Sequence, residues 1–290
     1  MDVAAVAAGP QQDGWQASRS VSVIVPTRNE ADNVGILARR LANSLAEAGL
    51  AWELIFVDDS DDETTIRIKA LLDEQPLLVL IHRPPGERRG GLAGAVVEGF
   101  LAARGEVLVV MDGDLQHPPE VVPALATAVL NGRCSVAVGS RYVNNAPSDG
   151  LSGPIRRILS KTSRSFVRIL FPSIRKVHDP LSGLFALQQR VIQDVVLAPE
   201  GFKILLEVLI RGQWEKVLEV PYEFAARTSG YSKAGWPEGR HFLRQMLRLR
   251  LAGIVGDTAR KRVELRLRRH AQTGDFPTTS GVSRHSLRAR

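Results

Sequence analysis

Five short apolar runs punctuate the first half of the chain: Val21–Val25, Leu54–Val57, Leu77–Ile81, Val107–Met111 and Ser135–Val138. They are rich in Val, Ile and Leu and lack the polar alternation of a half-exposed strand. Each therefore reads as a strand buried on both faces, as in the centre of a parallel sheet. The segments between them have a helical rhythm. In Ala31–Ala48, Leu37, Leu41 and Leu45 recur every four residues and mark one buried face. Glu63–Glu74, Leu92–Arg104 and Pro119–Leu130 fill the other gaps. This alternation predicts an α/β/α sandwich around a mostly parallel central sheet. Such sheets bind ligands beyond the carboxyl ends of their strands.

Polar groups crowd the loops at those ends. The first run leads into Pro26-Thr27-Arg28-Asn29-Glu30 and the second into Asp58-Asp59-Ser60-Asp61-Asp62. The fourth leads into Asp112-Gly113-Asp114-Leu115-Gln116-His117-Pro118-Pro119-Glu120, and the fifth into Gly139-Ser140-Arg141. Each could be a helix cap or a polar turn by itself. Asp112 and Asp114 also make a hard oxygen site of the kind that Mg²⁺ or Mn²⁺ shares with substrate phosphates. For His117 and His178, which flank important loops, a structural hydrogen-bonding role is preferred over general-base catalysis. Gly90-Gly91-Leu92-Ala93-Gly94 has the wrong spacing for a dinucleotide fingerprint, so a helix-start packing role is expected there.

Composition changes the picture mainly through charge. The chain of 290 residues is 44% hydrophobic, enough for a substantial core. It carries 38 Lys+Arg and 31 Asp+Glu, of which nine basic and two acidic residues fall in 258–290; removing these leaves 29 of each. The net +7 thus belongs to the tail. Such a tail suits a polyanionic surface, although a solvated, disordered tail is an equal alternative. Cys134 is the only cysteine, which excludes an internal disulfide and fits a small core residue. The first twenty residues lack a basic start and a long apolar core, so they do not read as a signal peptide. No run approaches the roughly 18 apolar residues of a spanning helix. A cytoplasmic protein, or one attached to a membrane face without crossing it, is expected.

The second half adds two basic amphipathic segments. In Pro154–Phe171, Arg157, Lys161, Arg164 and Arg168 form one cationic stripe on a helix, with Ile158, Phe166, Val167, Ile169 and Leu170 nearby. A solvated charged face is the competing reading. In Pro237–Val255, Arg240, Arg244 and Arg248 recur every four residues beside Phe242, Leu243, Met246, Leu247, Leu249, Leu251 and Ile254. That pattern fits a helix lying at an anionic lipid interface. The competing reading is a helix packed on the protein's own core or on a membrane subunit. The expected organisation is a disordered segment 1–20, a catalytic domain 21–235, an amphipathic helix 236–257 and a disordered basic tail 258–290.

Taken in order, Val-Pro-Thr-Arg-Asn-Glu (25–30), Val-Asp-Asp-Ser (57–60), Gly-Leu-Ala-Gly-Ala (91–95), the Asp112–Glu120 block, Gly-Ser-Arg (139–141), Asp-Pro-Leu-Ser-Gly-Leu-Phe-Ala-Leu (179–187) and Arg-Thr-Ser-Gly-Tyr-Ser-Lys (227–233) resemble the dolichol-phosphate (polyprenol-phosphate) mannosyltransferases. The resemblance implies an inverting, metal-dependent glycosyltransferase of the GT-A fold, a Rossmann-like sandwich. By position, Pro26, Thr27, Asn29 and Glu30 resemble the segment cradling base and ribose, and Asp58 the acidic residue that binds the nucleoside. Asp59 and Ser60 are expected to shape that loop. Asp112 and Asp114 resemble the carboxylates that hold Mg²⁺ or Mn²⁺ on the diphosphate, with Gln116 as a further ligand. Arg227 and Lys233 resemble the late basic pair supporting the leaving group, and with Asp114 they are the expected catalytic residues. Ser140 and Arg141 resemble contacts to the acceptor phosphate.

Arg28 stands where the family usually has an aromatic residue, Gly113 where alanine is common, and Ala93 replaces a glycine. Arg28 lies at the expected base pocket and so bears on the choice between GDP and UDP. The resemblance implies transfer of mannose from GDP-mannose to a polyprenyl or dolichyl phosphate, on the cytoplasmic face of a membrane, with an anionic lipid surface and a separate membrane subunit as partners. One alternative is a UDP-sugar-dependent glucosyl transfer to polyprenyl phosphate or to a soluble acceptor. A distant one is a noncatalytic nucleotide- or nucleic-acid-binding protein. With only Phe276 as an aromatic in the tail, stacking on single strands is poorly supported, so no nucleic-acid partner is expected.

Overall fold

A computed structural model describes residues 19–143, 164–198, 203–225, 246 and 248–250. Seven strands form one sheet: β1 (Ser20–Thr27), β2 (Ala51–Asp58), β3 (Leu78–His82), β4 (Val107–Met111), β5 (Val136–Ser140), β6 (Leu184–Gln188) and β7 (Val217–Pro221). The helices are α1 (Val34–Glu47), α2 (Thr64–Glu74), α3 (Gly91–Ala102), α4 (Val122–Leu130) and α5 (Ile204–Arg211). The five predicted runs become β1 to β5, within a few residues at their ends. The predicted helix Pro119–Leu130 opens as a 3₁₀ turn at Pro119–Val121 before α4 begins.

The sheet order is β3-β2-β1-β4-β6-β5-β7. β1 is parallel to both β2 and β4, while β6 runs antiparallel between β4 and β5. This inserted antiparallel strand is the main addition to the expected parallel sheet. The chain winds outward from β1 through β2 to β3, then returns to β4 on the other side of β1. The carboxyl ends of β1 and β4 therefore flank a topological switch point, where α/β sheets form their ligand crevice. Pro26 lacks an N–H for a ladder, and it sits beyond the last β1–β4 pair, Ile24↔Val110.

Alternate strand residues feed two cores. Ile24, Ile55, Val57, Leu108 and Val110 pack with α3 and α5 on one face. Val23, Val25, Phe56, Val109 and Met111 pack with α1, α2 and α4 on the other, where Leu37, Leu41 and Leu45 are buried as their spacing predicts. Cys134 is buried in that second core. Gly94 in α3 shows why its stretch is small: a Cβ there would lie 1.9 Å from the Arg89 carbonyl oxygen. This is the helix-start packing expected for the run.

The amino end of the sheet holds a closed polar cluster. Ser22 Oγ donates to Glu53 Oε1 at 2.6 Å, and the Arg104 main-chain N–H donates to the same oxygen at 2.7 Å. Arg104 Nε donates to Glu53 Oε2 at 2.9 Å, while the Gly105 N–H donates to Ser22 Oγ at 2.8 Å. Glu53 is 1% exposed.

Of the segments read as amphipathic or basic, 1–18, 144–163, 226–245, 247 and 251–290 lie outside the described residues, and with them Arg157, Lys161, Arg227, Lys233, Arg240 and Arg244. Met246 and Leu249 are helical and buried in the α3/α5 core, as a helix packed on the protein's own core would be. Residues 164–170 are helical; Arg164 stacks over the Tyr142 ring at 4.1 Å, and Arg168 Nε donates to the Arg175 carbonyl at 2.8 Å. No helix among the described residues is long and apolar enough to cross a membrane.

Candidate active site

The loops after β1, β2 and β3 knit into one rigid wall. Asp58 is fully buried at the end of β2. Its carboxylate accepts from the hydroxyls of Thr27 at 2.8 Å, Ser60 at 2.5 Å and Thr65 at 2.5 Å. His82 Nδ1 lies 3.4 Å from it. Asn29 takes a left-handed backbone (φ 55°), which asparagine tolerates better than most residues. Its N–H donates to Ser60 Oγ at 2.8 Å, and its Oδ1 accepts from the Asp61 N–H at 2.9 Å. The Glu30 N–H donates to Thr64 Oγ1 at 2.9 Å, and Glu30 Oε2 accepts from Asn33 Nδ2 at 2.6 Å. Pro26 and Thr27 are buried, whereas Arg28 and Asn29 are exposed. The nucleoside residues expected from the sequence are thus gathered at one place. Asp58 holds the loops together from inside, and the exposed edge falls to Arg28 and Asn29.

Arg83 is the buried keystone of this wall. It is 2% exposed and grips Asp59 through two hydrogen bonds, Nε–Oδ1 at 2.7 Å and Nη2–Oδ2 at 2.6 Å. It also donates to Glu98 at 3.1 Å and to the Gly91 carbonyl at 2.9 Å. The Asp59 and Glu98 charges outweigh the desolvation that opposes them and raise its pKa. Asp59 therefore shapes its loop, as expected, through a partner the sequence reading passed over. Arg83 directly follows β3, so the rule that directed attention to the other loops also points to it.

Across the switch point lies a second, more open wall. Asp112 keeps 35% of its side-chain surface exposed. Its carboxylate rests against Gly183, where a Cβ would come within 2.0 Å of Oδ2. Only glycine lets the carboxylate lie there unmoved. Asp114 is largely buried and accepts from the Gln116 N–H at 3.1 Å, in a turn closed by left-handed Leu115 (φ 59°). A positive φ is rare for a residue of this bulk, and such strain concentrates at functional sites. Gln116 pairs with Ala225: its carbonyl accepts from the Ala225 N–H at 3.0 Å, and its Nε2 donates to the Ala225 carbonyl at 3.4 Å.

Cations face this wall. Arg141 grips Asp179 through Nε–Oδ2 at 2.8 Å and Nη2–Oδ1 at 3.0 Å, and lies over the Phe224 ring at 5.3 Å. Burial acts to lower its pKa, but Asp179 raises it by more, so the guanidinium stays charged. Lys203 donates to the Leu181 carbonyl at 3.0 Å. Burial lowers its pKa, the Arg141 charge adds to this, and Asp112 and Asp179 oppose it. Burial also works against Asp112 ionisation, but His117, Lys203 and Arg141 more than offset it and hold the carboxyl below its ordinary range. Ser140 is fully buried, and its Oγ accepts from the Tyr142 N–H at 3.4 Å. Lys203 comes from far along the chain and had no local signal in the sequence.

Both histidines make hydrogen bonds to neighbouring side chains. His117 meets Tyr222 at 2.8 Å and His178 meets Glu219 at 2.7 Å. Among the described residues no group of three or more His, Cys, Asp and Glu converges on one point. The glycine-backed, partly open Asp112 carboxylate beside Asp114 and the Gln116 amide is a donor set that fits Mg²⁺ or Mn²⁺.

The mostly parallel sheet thus carries an acidic pair at its switch point with cations opposite, and comparison with known proteins shows the family. The sequence pattern of the family described as glycosyl transferase family 2 matches residues 22–196, and the chain belongs to that family. More particularly, it is 44% identical over 231 residues to the dolichol-phosphate mannosyltransferase of Pyrococcus furiosus, covering 79% of this chain and 63% of that protein. It is 35% identical to the Mycosarcoma maydis protein of the same name (83% of each chain) and 36% identical to that of Saccharomyces cerevisiae (79% of this chain, 86% of the other). The chain thus spans under two thirds of the archaeal relative and most of the fungal ones. In fold it resembles glucosyl-3-phosphoglycerate synthase from Mycobacterium tuberculosis, with a TM-score of 0.59 at 21% identity over 86% of this chain and 88% of that one. The same enzyme in complex with Mn²⁺, UDP-glucose and phosphoglyceric acid gives a TM-score of 0.57 at 19% identity, covering 83% and 85%.

Proposed function

We propose that the chain transfers mannose from GDP-mannose to the phosphate of a polyprenyl or dolichyl phosphate, with inversion at the anomeric carbon. The observation that carries this reading is the position of the Asp112 carboxylate: seated on Gly183, it lies within the electrostatic reach of both Arg141 and Lys203. A site that brings two phosphates together needs such charges on either side. The names of the relatives above support a mannosyl group and a dolichol-phosphate acceptor, and GDP as the carrier is part of the proposal.

The acceptor phosphate is largely dianionic at neutral pH, since its second pKa is about 6. One of its oxygens attacks the anomeric carbon as the sugar–phosphate bond breaks and the nucleoside diphosphate departs, so no protein base is needed. Arg141 is assigned to the acceptor phosphate; Ser140, expected beside it, is fully buried and supports the loop from inside instead. Asp112, Asp114 and Gln116 would hold Mg²⁺ or Mn²⁺, which supplies positive charge to the departing diphosphate. Arg227 and Lys233 are assigned to the same developing charge. Pro26, Thr27, Asn29, Glu30 and Asp58 form the nucleoside side. An interfacial position is supported by Phe166 and Ile169, which are 46% and 77% exposed on the basic helical segment 164–170.

The test is a lipid-extraction assay with a short prenyl phosphate and radiolabelled GDP-mannose or UDP-glucose. Label should enter the organic phase from GDP-mannose, disappear with a chelator and return with Mg²⁺ or Mn²⁺. No lipid product from either donor would overturn the reading.

A further inference from the structure

His117 has no part in the chemistry just described, yet it links the Asp112 carboxylate to Tyr222, the residue after β7. Its ring is 3% exposed. Nε2 lies 3.4 Å from Asp112 Oδ2, and Nδ1 lies 2.8 Å from the Tyr222 hydroxyl. Tyr222 and Phe224 enclose the ring, with centroids 5.4 and 5.3 Å away. The buried imidazole thus bridges the carboxylate and the phenol, with one ring nitrogen facing each.

We infer that His117 is a positioning residue for the cation site: its Nε2 edge steadies Asp112 while Tyr222 holds the ring at Nδ1. The inference rests on the metal-dependent reading above. Gly183 and His117 both meet Asp112 Oδ2: the glycine makes room for it and the imidazole orients it. Partners that orient a ligating carboxylate typically contribute about 10- to 100-fold in metal affinity.

The experiment is an electron paramagnetic resonance titration of Mn²⁺ on the whole chain, with GDP and separately with UDP. The variants are His117→Phe, His117→Gln and Tyr222→Phe. Nucleotide binding without Mn²⁺ and the thermal midpoint are measured alongside. His117→Phe should weaken Mn²⁺ about 10- to 100-fold while metal-free nucleotide binding stays unchanged. His117→Gln, which keeps an N–H donor, should recover most of that loss. Tyr222→Phe retains the ring packing and removes the hydroxyl that meets His117, so a roughly 2- to 10-fold weakening is expected. Wild-type Mn²⁺ affinity in folded His117→Phe, or a Gln variant no better than Phe, would overturn the inference. If His117→Phe does not fold, Tyr222→Phe decides: unchanged Mn²⁺ affinity there overturns it. Failure of the wild type to take up Mn²⁺ with either nucleotide overturns the metal reading itself, and this inference with it.

Discussion

Glu53 and Asp112 are carboxylates at opposite ends of the same sheet, and their surroundings differ in kind. Glu53 is buried at the amino end, and Ser22 and Arg104 supply donors to both its oxygens. Asp112 stands at the carboxyl end with about a third of its surface open, and a glycine keeps space beside it. Burial of a charge therefore does not mark a site by itself. What distinguishes the carboxyl end is a carboxylate held in place but not closed over. Asp58 shows the distinction within the carboxyl end: it is fully buried and bound by three hydroxyls, so it acts as a brace for the loops that present Arg28 and Asn29.

The comparison breaks most visibly in stability. Glu53→Ala should cost about 3 kcal/mol or more, because removing one partner leaves the other buried polar groups without their acceptor. The folded variant should keep its wild-type kcat/KM. Urea unfolding together with initial rates checks both halves. A fall in turnover without loss of stability would erase the contrast between the two ends.

Asp114→Asn should have the opposite signature. Turnover with the divalent ion should fall roughly 100-fold or more, equivalent to about 2.7 kcal/mol of transition-state stabilisation, while the thermal midpoint stays near wild type. Full activity in that variant would remove Asp114 from the cation site.

Gly183→Ala lies between these extremes because its backbone belongs to the scaffold and its neighbour to the site. The new methyl group would collide with Asp112 Oδ2. Overpacking of this kind costs about 1–3 kcal/mol. The displaced carboxylate should also weaken Mn²⁺ binding, by about tenfold. Calorimetry of metal binding with nucleotide present tests it, and unaltered affinity would show that the contact constrains nothing.

The contrast between the two ends also explains what was legible in the sequence. β1 to β5 announce themselves because strands buried on both faces leave uninterrupted runs of Val, Ile and Leu. β6 has a similar run, Leu184–Gln188, but its insertion between β4 and β5 depends on pairings made only in three dimensions. Asp112 and Asp114 were legible because acidic residues stood directly after a buried run. Arg83 stood after another such run and was missed, since an arginine before two prolines resembles an ordinary turn. Lys203, Tyr222 and Glu219 reach the site through the later part of the fold. The Glu219 carboxylate accepts from the His178 and Asp179 N–H groups at 2.8 and 2.9 Å, and no local spacing encodes that.

The smallest effect is expected inside the same nine-residue block that holds Asp112 and Asp114. Its last residue, Glu120, turns away from the crevice and meets Arg40 of α1 in two hydrogen bonds, at 2.8 and 2.7 Å. The two side chains are 52% and 41% exposed, so water screens the pair and its contribution should stay below about 1 kcal/mol. The Arg40 hydrogen bond lowers the Glu120 pKa against weak opposing desolvation. A lowered carboxyl pKa gives stability that is present at neutral pH and fades as acid protonates the group. Glu120→Gln should therefore lower the thermal midpoint slightly at pH 7, lose that difference in acid, and leave turnover unchanged. A large fall in turnover would place Glu120 with the cation site and show that the block acts as a whole.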